Sequence, residues 1–338
     1  MSVQTQNPAA IAAAPTTLPK PKRSRRRRFL RVVVIVVATI LALNLLSALT
    51  NAAMTRSEKA SAVPYGQTVT LENGTVNVVR NGGTGPVLVM LSGYGTPAPG
   101  LDFAPLVREL DAFDVITIEG FGYGYADTDV TDRTVENITS EIHETLQRLG
   151  VTGPVILAGH SAGGLYTRYY ANAYPGGVSA IIGIDPMAAT ASSLQVGPAL
   201  HIEATLRTLG LMRVASKLAP SLVTPPGGAF TADELHRIVQ MTNWNYGNAS
   251  LSDEWAHLGS NSTKAAAKPI PADVPTLEFL STESIKFDAT WLPMHEAELA
   301  GVTTHELVTV EGAHYLHWTQ APLLGRTITE FVDAHVAH

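Results

Sequence analysis

The longest apolar run covers residues 32 to about 49, and only the uncharged Thr39, Asn44 and Ser47 interrupt it. At about 1.5 Å per residue it extends roughly 28 Å as a helix, close to the hydrocarbon thickness of a bilayer. Further on, the pattern breaks into short pieces. Residues 68–71 and 75–80 are β-prone runs around Asn73-Gly74, a strong hairpin signal. Residues 86–91, 115–118, 154–158 and 178–184 are apolar without alternation, as strands buried on both faces of a parallel sheet are. Between them, residues 134–149 place Val135, Ile138, Ile142, Leu146 and Leu149 at helical spacing, with Gly150 as the stop. A second helical stretch occupies 163–174. Strands at 276–280 and 306–310, a helix near 291–300 and a last helix at about 322–334 complete the series. Alternating strand and helix predict an α/β fold, an open sheet with helices on both faces.

Residues 187–272 break this rhythm with helical segments at 200–218 and 232–241 and a break at Pro225-Pro226-Gly227-Gly228. An insertion between two strands, on the side where ligands bind, reads as a helical cap or lid. Leu211, Met212, Met241, Trp244, Tyr246 and Trp255 are its candidate pocket liners, or equally the residues that pack it onto the body. The expected division is therefore a tail at 1–31, a membrane segment at 32–50, a polar linker at 51–66, a core at 67–186 and 273–338, and a cap at 187–272.

Charge sharpens the first of these. Eight of the 23 Lys and Arg residues lie within 1–31, which holds none of the 29 Asp and Glu. Residues 1–19 are rich in Ala, Pro, Thr and Gln and predict disorder. A basic stretch before an apolar run places the N-terminus on the cytoplasmic side and everything after residue 50 outside. A single-pass signal anchor is the preferred reading. The alternative is secretion after signal cleavage, for which Ala60-Ser61-Ala62 has suitable residues but lies far downstream. The acidic remainder argues against nucleic acid as a partner. With no cysteine, disulfides, thiolate metal sites and Cys nucleophiles are excluded. The histidines show no metal-ligand spacing, so neither metal nor cofactor is expected.

The chemistry concentrates where the third apolar run meets Gly159-His160-Ser161-Ala162-Gly163-Gly164. A G-x-S-x-G turn between strand and helix strains its central residue and leaves no room for flanking side chains, so glycines let the Ser161 hydroxyl project above the sheet. A serine nucleophile needs a base. His314, in Glu311-Gly312-Ala313-His314-Tyr315 after the last strand, is preferred to His317, and His160 is read as a packing residue. Two carboxylates end strands: Asp185 in Gly183-Ile184-Asp185-Pro186, which is preferred, and Glu283 in Ser281-Thr282-Glu283-Ser284. Oxyanion donors are expected from the backbone N–H groups of Ala162 and of Tyr94, in Ser92-Gly93-Tyr94-Gly95.

In order, Leu91-Ser92-Gly93, Phe121-Gly122-Tyr123-Gly124, the Gly159–Gly164 elbow, Gly183-Ile184-Asp185-Pro186 and Gly312-Ala313-His314 resemble the α/β-hydrolase superfamily from about residue 65 onward. The resemblance implies a mostly parallel eight-stranded sheet and a nucleophile–acid–histidine order, and Asp185 resembles the Gly-x-Asp-Pro acid of the pancreatic-lipase branch. Two departures stand out: Ser92-Gly93 replaces the usual His-Gly, and the loop after 276–280 lacks Gly-x-x-Asp. Serine at 161 disfavours the carboxylate-nucleophile branches. The expected activity is a serine esterase or lipase-like hydrolase acting on a small-molecule or lipid-like ester. Alternatives are acyl transfer, peptidase or perhydrolase chemistry on the same residues, or a binding protein that kept the fold.

Overall fold

The computed structural model describes residues 1–2, 23–189, 202–226 and 228–336. The chain divides into two units, Met1–Ser47 and Ala48–His338. In the first, the apolar run is carried by a single helix, Arg23–Ser61, whose last residues belong to the second unit. From Arg25 to Ser61 it is long and apolar enough to cross a membrane. Its 39 residues extend about 58 Å, nearly twice a hydrocarbon core.

Two sequence expectations change here. The disordered tail falls mostly on residues 3–22, outside the described residues, but Arg23–Arg31 is helical, arginine being a good helix former at the head of a long helix. The polar linker expected at 51–66 is helical as far as Ser61. Asn51, Thr55 and Glu58 recur on one helix face, and all three bind Arg213.

The second unit is built on eight strands: β1 Gln67–Leu71, β2 Gly74–Arg80, β3 Val87–Leu91, β4 Asp114–Glu119, β5 Val155–His160, β6 Val178–Ile184, β7 Thr276–Ser281 and β8 His305–Val310. Their order is β1-β2-β4-β3-β5-β6-β7-β8. β1 and β2 form the hairpin, β2 pairs antiparallel with β4, and every other pairing is parallel. The unbroken apolar runs are explained by two covered faces. Val89, Leu91 and Leu157 join one buried cluster, with Ile138 and Ile142 of helix Val135–Arg148 and Leu165 of helix Gly163–Ala173. Leu88, Met90 and Ile156 join the other, with Leu324, Ile328 and Phe331 of helix Ala321–His335.

Between β6 and β7 stand helices Ile202–Thr208, Leu211–Leu218, Ala232–Asn245 and Ala249–Ala266. The segment expected as one helix at 200–218 begins outside the described residues and is split at Gly210, whose φ is +71°. The last helix was not legible in the sequence. It also departs from a cap spanning 187–272, because Leu258 and Ala265 are part of the body's core. Asn261 accepts from the N–H of Val135 and donates to the carbonyl of Arg133, tying the helix to the start of Val135–Arg148.

Candidate active site

Ser161 stands between the end of β5 and helix Gly163–Ala173, with φ +51°, in the left-handed region that a serine rarely enters. The flanking glycines are sterically required. A Cβ on Gly159 would lie 2.6 Å from the carbonyl carbon of Gly163, and one on Gly163 2.5 Å from the carbonyl oxygen of Leu91. Gly93 is held as tightly, since its Cβ would lie 2.8 Å from that of Ser161. The Ser92–Gly95 loop therefore packs directly on Ser161. Ala162 is the N-cap of the helix, where backbone N–H groups lack intrahelical partners.

Parallel strands bring the other candidates to the same sheet end. His314 follows β8, and its Nδ1 lies 2.6 Å from Oδ2 of Asp185, which follows β6. Asp185 is fully buried, with φ +43°. It also accepts from the Ser281 N–H (3.0 Å), the Ser284 hydroxyl (2.5 Å) and Trp291 Nε1 (3.1 Å). Burial opposes ionisation, but the hydrogen bonds from His314, Ser284 and Ser281 outweigh it and hold the carboxyl below its ordinary pKa. Glu283 is exposed, in helix Thr282–Phe287, and its N–H bonds to the carbonyl of Gly312.

His317 belongs elsewhere. It is buried, with Nε2 2.7 Å from Oδ2 of Asp102, whose other oxygen accepts from Trp318 Nε1 at 2.9 Å. His160 is a packing residue. Its Nε2 donates to the carbonyl of His314 (3.2 Å), and its ring lies 4.7 Å from those of His314 and His317. Burial, then the neighbouring His317 and His314, push its pKa well below the ordinary value, so it stays neutral.

Three supports were not read from the sequence. Ser284 and Trp291 grip Asp185; the Ser281-x-x-Ser284 spacing was visible, but its target was not. Under the Ser92–Gly95 loop, the Gly95 N–H reaches the Tyr123 hydroxyl (3.4 Å), and Tyr123 and Tyr166 both donate to buried Glu254, at 2.7 and 2.6 Å. Glu278 of β7 pairs at 2.7 Å with His295, close to Glu298, which lies three residues further along the same helix, Trp291–Leu299. Arg168 and the Ala189 N–H already occupy Glu298.

A cleft open to solvent, about 890 Å³ including its mouth, adjoins this end of the sheet, lined by Gly95, Thr96 and Tyr315 from the body and Met212 and Tyr246 from the insertion. Of the other proposed liners, Met241 and Trp244 are buried where the insertion packs on Leu101, Trp255 lies against Tyr94 (ring centroids 5.1 Å apart), and Leu211 is exposed.

Among known proteins, the chain is similar to the uncharacterized protein YbdG of Bacillus subtilis (strain 168), 25% identical over 281 residues, which is 79% of this chain and 85% of that one. The fold is similar to that of epoxide hydrolase VrEH1 from Vigna radiata (TM-score 0.62, 17% identity, 79% of this chain and 97% of that one). It is also similar to that of a thermophilic esterase from Thermogutta terrifontis (TM-score 0.58, 20% identity, 80% and 100%). Residues 88–332 match the profile of the alpha/beta hydrolase family, spanning β3 to the last helix and every candidate residue above, and the chain belongs to that family.

Proposed function

We propose that the protein is a serine hydrolase that cleaves a carboxylic ester through an acyl-enzyme, with Ser161 as nucleophile, His314 as general base and acid, and Asp185 as the acid that orients it. The observation that carries this reading is the 2.6 Å contact of His314 Nδ1 with buried Asp185, at the sheet end where Ser161 is held in a strained turn. Asp185 keeps the proton on Nδ1, which leaves Nε2 free to accept the Ser161 proton as Oγ attacks the acyl carbon. The oxyanion that forms is met by the N–H groups of Ala162 and Tyr94. Collapse expels the alcohol, which takes the proton from His314; water then attacks the acyl-enzyme and gives a proton to His314, and collapse releases the carboxylic acid as Ser161 Oγ takes that proton back.

Helix Arg23–Ser61 acts as a single-pass anchor with its basic end in the cytoplasm and the hydrolase outside. The helices over the 890 Å³ cleft act as its cap. A cleft with Met212, Val223, Ile238 and Trp318 among its lining residues, in an anchored enzyme, suits lipid-like esters. A fluorophosphonate probe applied to membranes holding the full chain should label the wild type and leave Ser161→Ala unlabelled; equal behaviour of the two excludes the serine mechanism. Hydrolysis of p-nitrophenyl esters should rise with chain length, and activity confined to the acetate would exclude the lipid-like substrate class.

A further inference from the structure

Helix Leu211–Leu218 is built inside out. A surface helix normally turns its apolar stripe inward and its charges to water. Here Leu211, Val214 and Leu218, at i, i+3 and i+7, are 43%, 51% and 81% exposed. Arg213, about opposite them at 3.6 residues per turn, faces the protein. Its guanidinium is bound by Asn51 (2.7 Å), Thr55 (2.8 Å) and both oxygens of Glu58 (2.6 and 2.7 Å). Scattered exposed aliphatics are ordinary on a protein surface; a continuous face on one element needs a partner.

Chain connectivity identifies that partner. Asn51 comes two residues after Leu49, the end of the apolar run, a rise of about 3 Å along the helix. Asn51 is in direct contact with the start of helix Leu211–Leu218. Its Nδ2 donates to the carbonyl of Arg207 at 2.9 Å, and a Cβ on Gly210 would lie 3.0 Å from its own Cβ. Where residues 32–49 span a bilayer, Gly210 is thus fixed at the level where the chain leaves the hydrocarbon, within the interfacial layer several Å thick. The cations nearby, Arg56 and Lys217, are exposed, as snorkelling residues at a headgroup layer are. On its inner side the same helix contributes Met212 to the 890 Å³ cleft.

We propose that the exposed stripe of helix Leu211–Leu218 is a second membrane contact, buried in the bilayer interface beside the anchor, so that a bilayer-resident ester passes into the cleft past this helix without crossing bulk water. The proposal rests on the anchor reading, and the test separates the two. The chain has no cysteine, so single-cysteine labelling is clean. The full chain, carrying Val214→Cys, Leu218→Cys, Leu41→Cys or, as an exposed control, Glu330→Cys, is labelled with an environment-sensitive fluorophore. It is then reconstituted into phosphatidylcholine–phosphatidylglycerol vesicles with and without nitroxide-bearing lipid.

The expected result is a blue-shifted, nitroxide-quenched signal at 214, 218 and 41, and an aqueous signal at 330. The double variant Val214→Asp/Leu218→Asp should lose roughly tenfold in hydrolysis of a long-chain ester embedded in vesicles while keeping its rate on soluble p-nitrophenyl butyrate. Aqueous signals at 214 and 218 with a lipid signal at 41 overturn the docking and leave the anchor standing. An aqueous signal at 41 overturns the anchor and the docking together. Labels at 214 and 218 that are shielded from water but insensitive to nitroxide lipid mean that protein covers the stripe, which also overturns the docking.

Discussion

Asp185→Asn probes the candidate site with almost no change of volume. The wild-type carboxylate accepts from four donors: His314, Ser284, Trp291 and the Ser281 N–H. An amide offers one oxygen and an NH₂ that must itself donate, so at least one contact becomes donor against donor. If the NH₂ faces His314, its Nδ1 becomes the acceptor and the ring proton moves to Nε2, where it blocks transfer from Ser161. In a Ser-His-Asp arrangement this wrong tautomer lowers kcat by about 10⁴, or about 5.5 kcal/mol at about 1.36 kcal/mol per tenfold. Stability falls too, by about 2 kcal/mol near neutral pH, the typical worth of a charge-assisted hydrogen bond. Because the folded carboxyl is held below the unfolded value of about 3.9, its contribution is present above that value and is lost as pH falls through the folded pKa. The stability gap between wild type and variant therefore closes in acid. The assay is kcat/KM on p-nitrophenyl butyrate for wild type, Asp185→Asn and Glu283→Gln in micelles, with urea unfolding alongside. Activity of Asp185→Asn within tenfold of wild type, or an equal fall in Glu283→Gln, would refute the assignment.

Gly93→Ala puts a methyl group 2.8 Å from the Ser161 Cβ and 3.0 Å from His160 Nδ1, so kcat should fall about 100-fold and the overpacking should cost about 1–3 kcal/mol of stability; a fully active variant means that the loop does not set the serine's position. His160 refuses a proton that the unfolded chain accepts near pH 6.5. The wild type should therefore lose up to about 1.4 kcal/mol per pH unit below that value, and His160→Phe should flatten this slope; parallel urea-midpoint profiles would assign the slope to another group. Arg213→Ala unties Asn51, Thr55 and half-buried Glu58 together and should destabilise by about 1–2 kcal/mol by thermal unfolding, whereas an unchanged melting temperature would show that these bonds do not hold the insertion.

The central strands were legible because both sheet faces are covered, so each reads as an apolar run without alternation. Ser161 and its elbow were legible because the motif sits between such a run and a helix. Other features lay beyond local pattern. Asp185 and Glu283 each follow a strand, and only the packing of neighbouring strands decides which carboxylate meets His314. The strand end and helix that carry Glu283 instead supply Ser281 and Ser284 to its rival. Helix Ala249–Ala266 is rich in Ser and Ala, and its apolar core contacts, Leu251, Leu258 and Ala265, recur only every seven residues. The helical stretch after residue 50 was obscured for a different reason. Its packing face is the polar stripe of Asn51, Thr55 and Glu58, which a hydrophobic period cannot reveal.

Among the described residues, only Asp132, Ser161 and Asp185 combine a side chain with positive φ, and two of the three stand at the candidate site. Left-handed backbone disfavours a residue with a Cβ by about 1–2 kcal/mol. Glycine at 161 would relieve that strain while removing the hydroxyl, so an inert Ser161→Gly chain should outlast the native one on heating. Selection for abundance alone would then favour disarming the protein, and the persistence of a serine in that turn would measure how strongly its chemistry is needed.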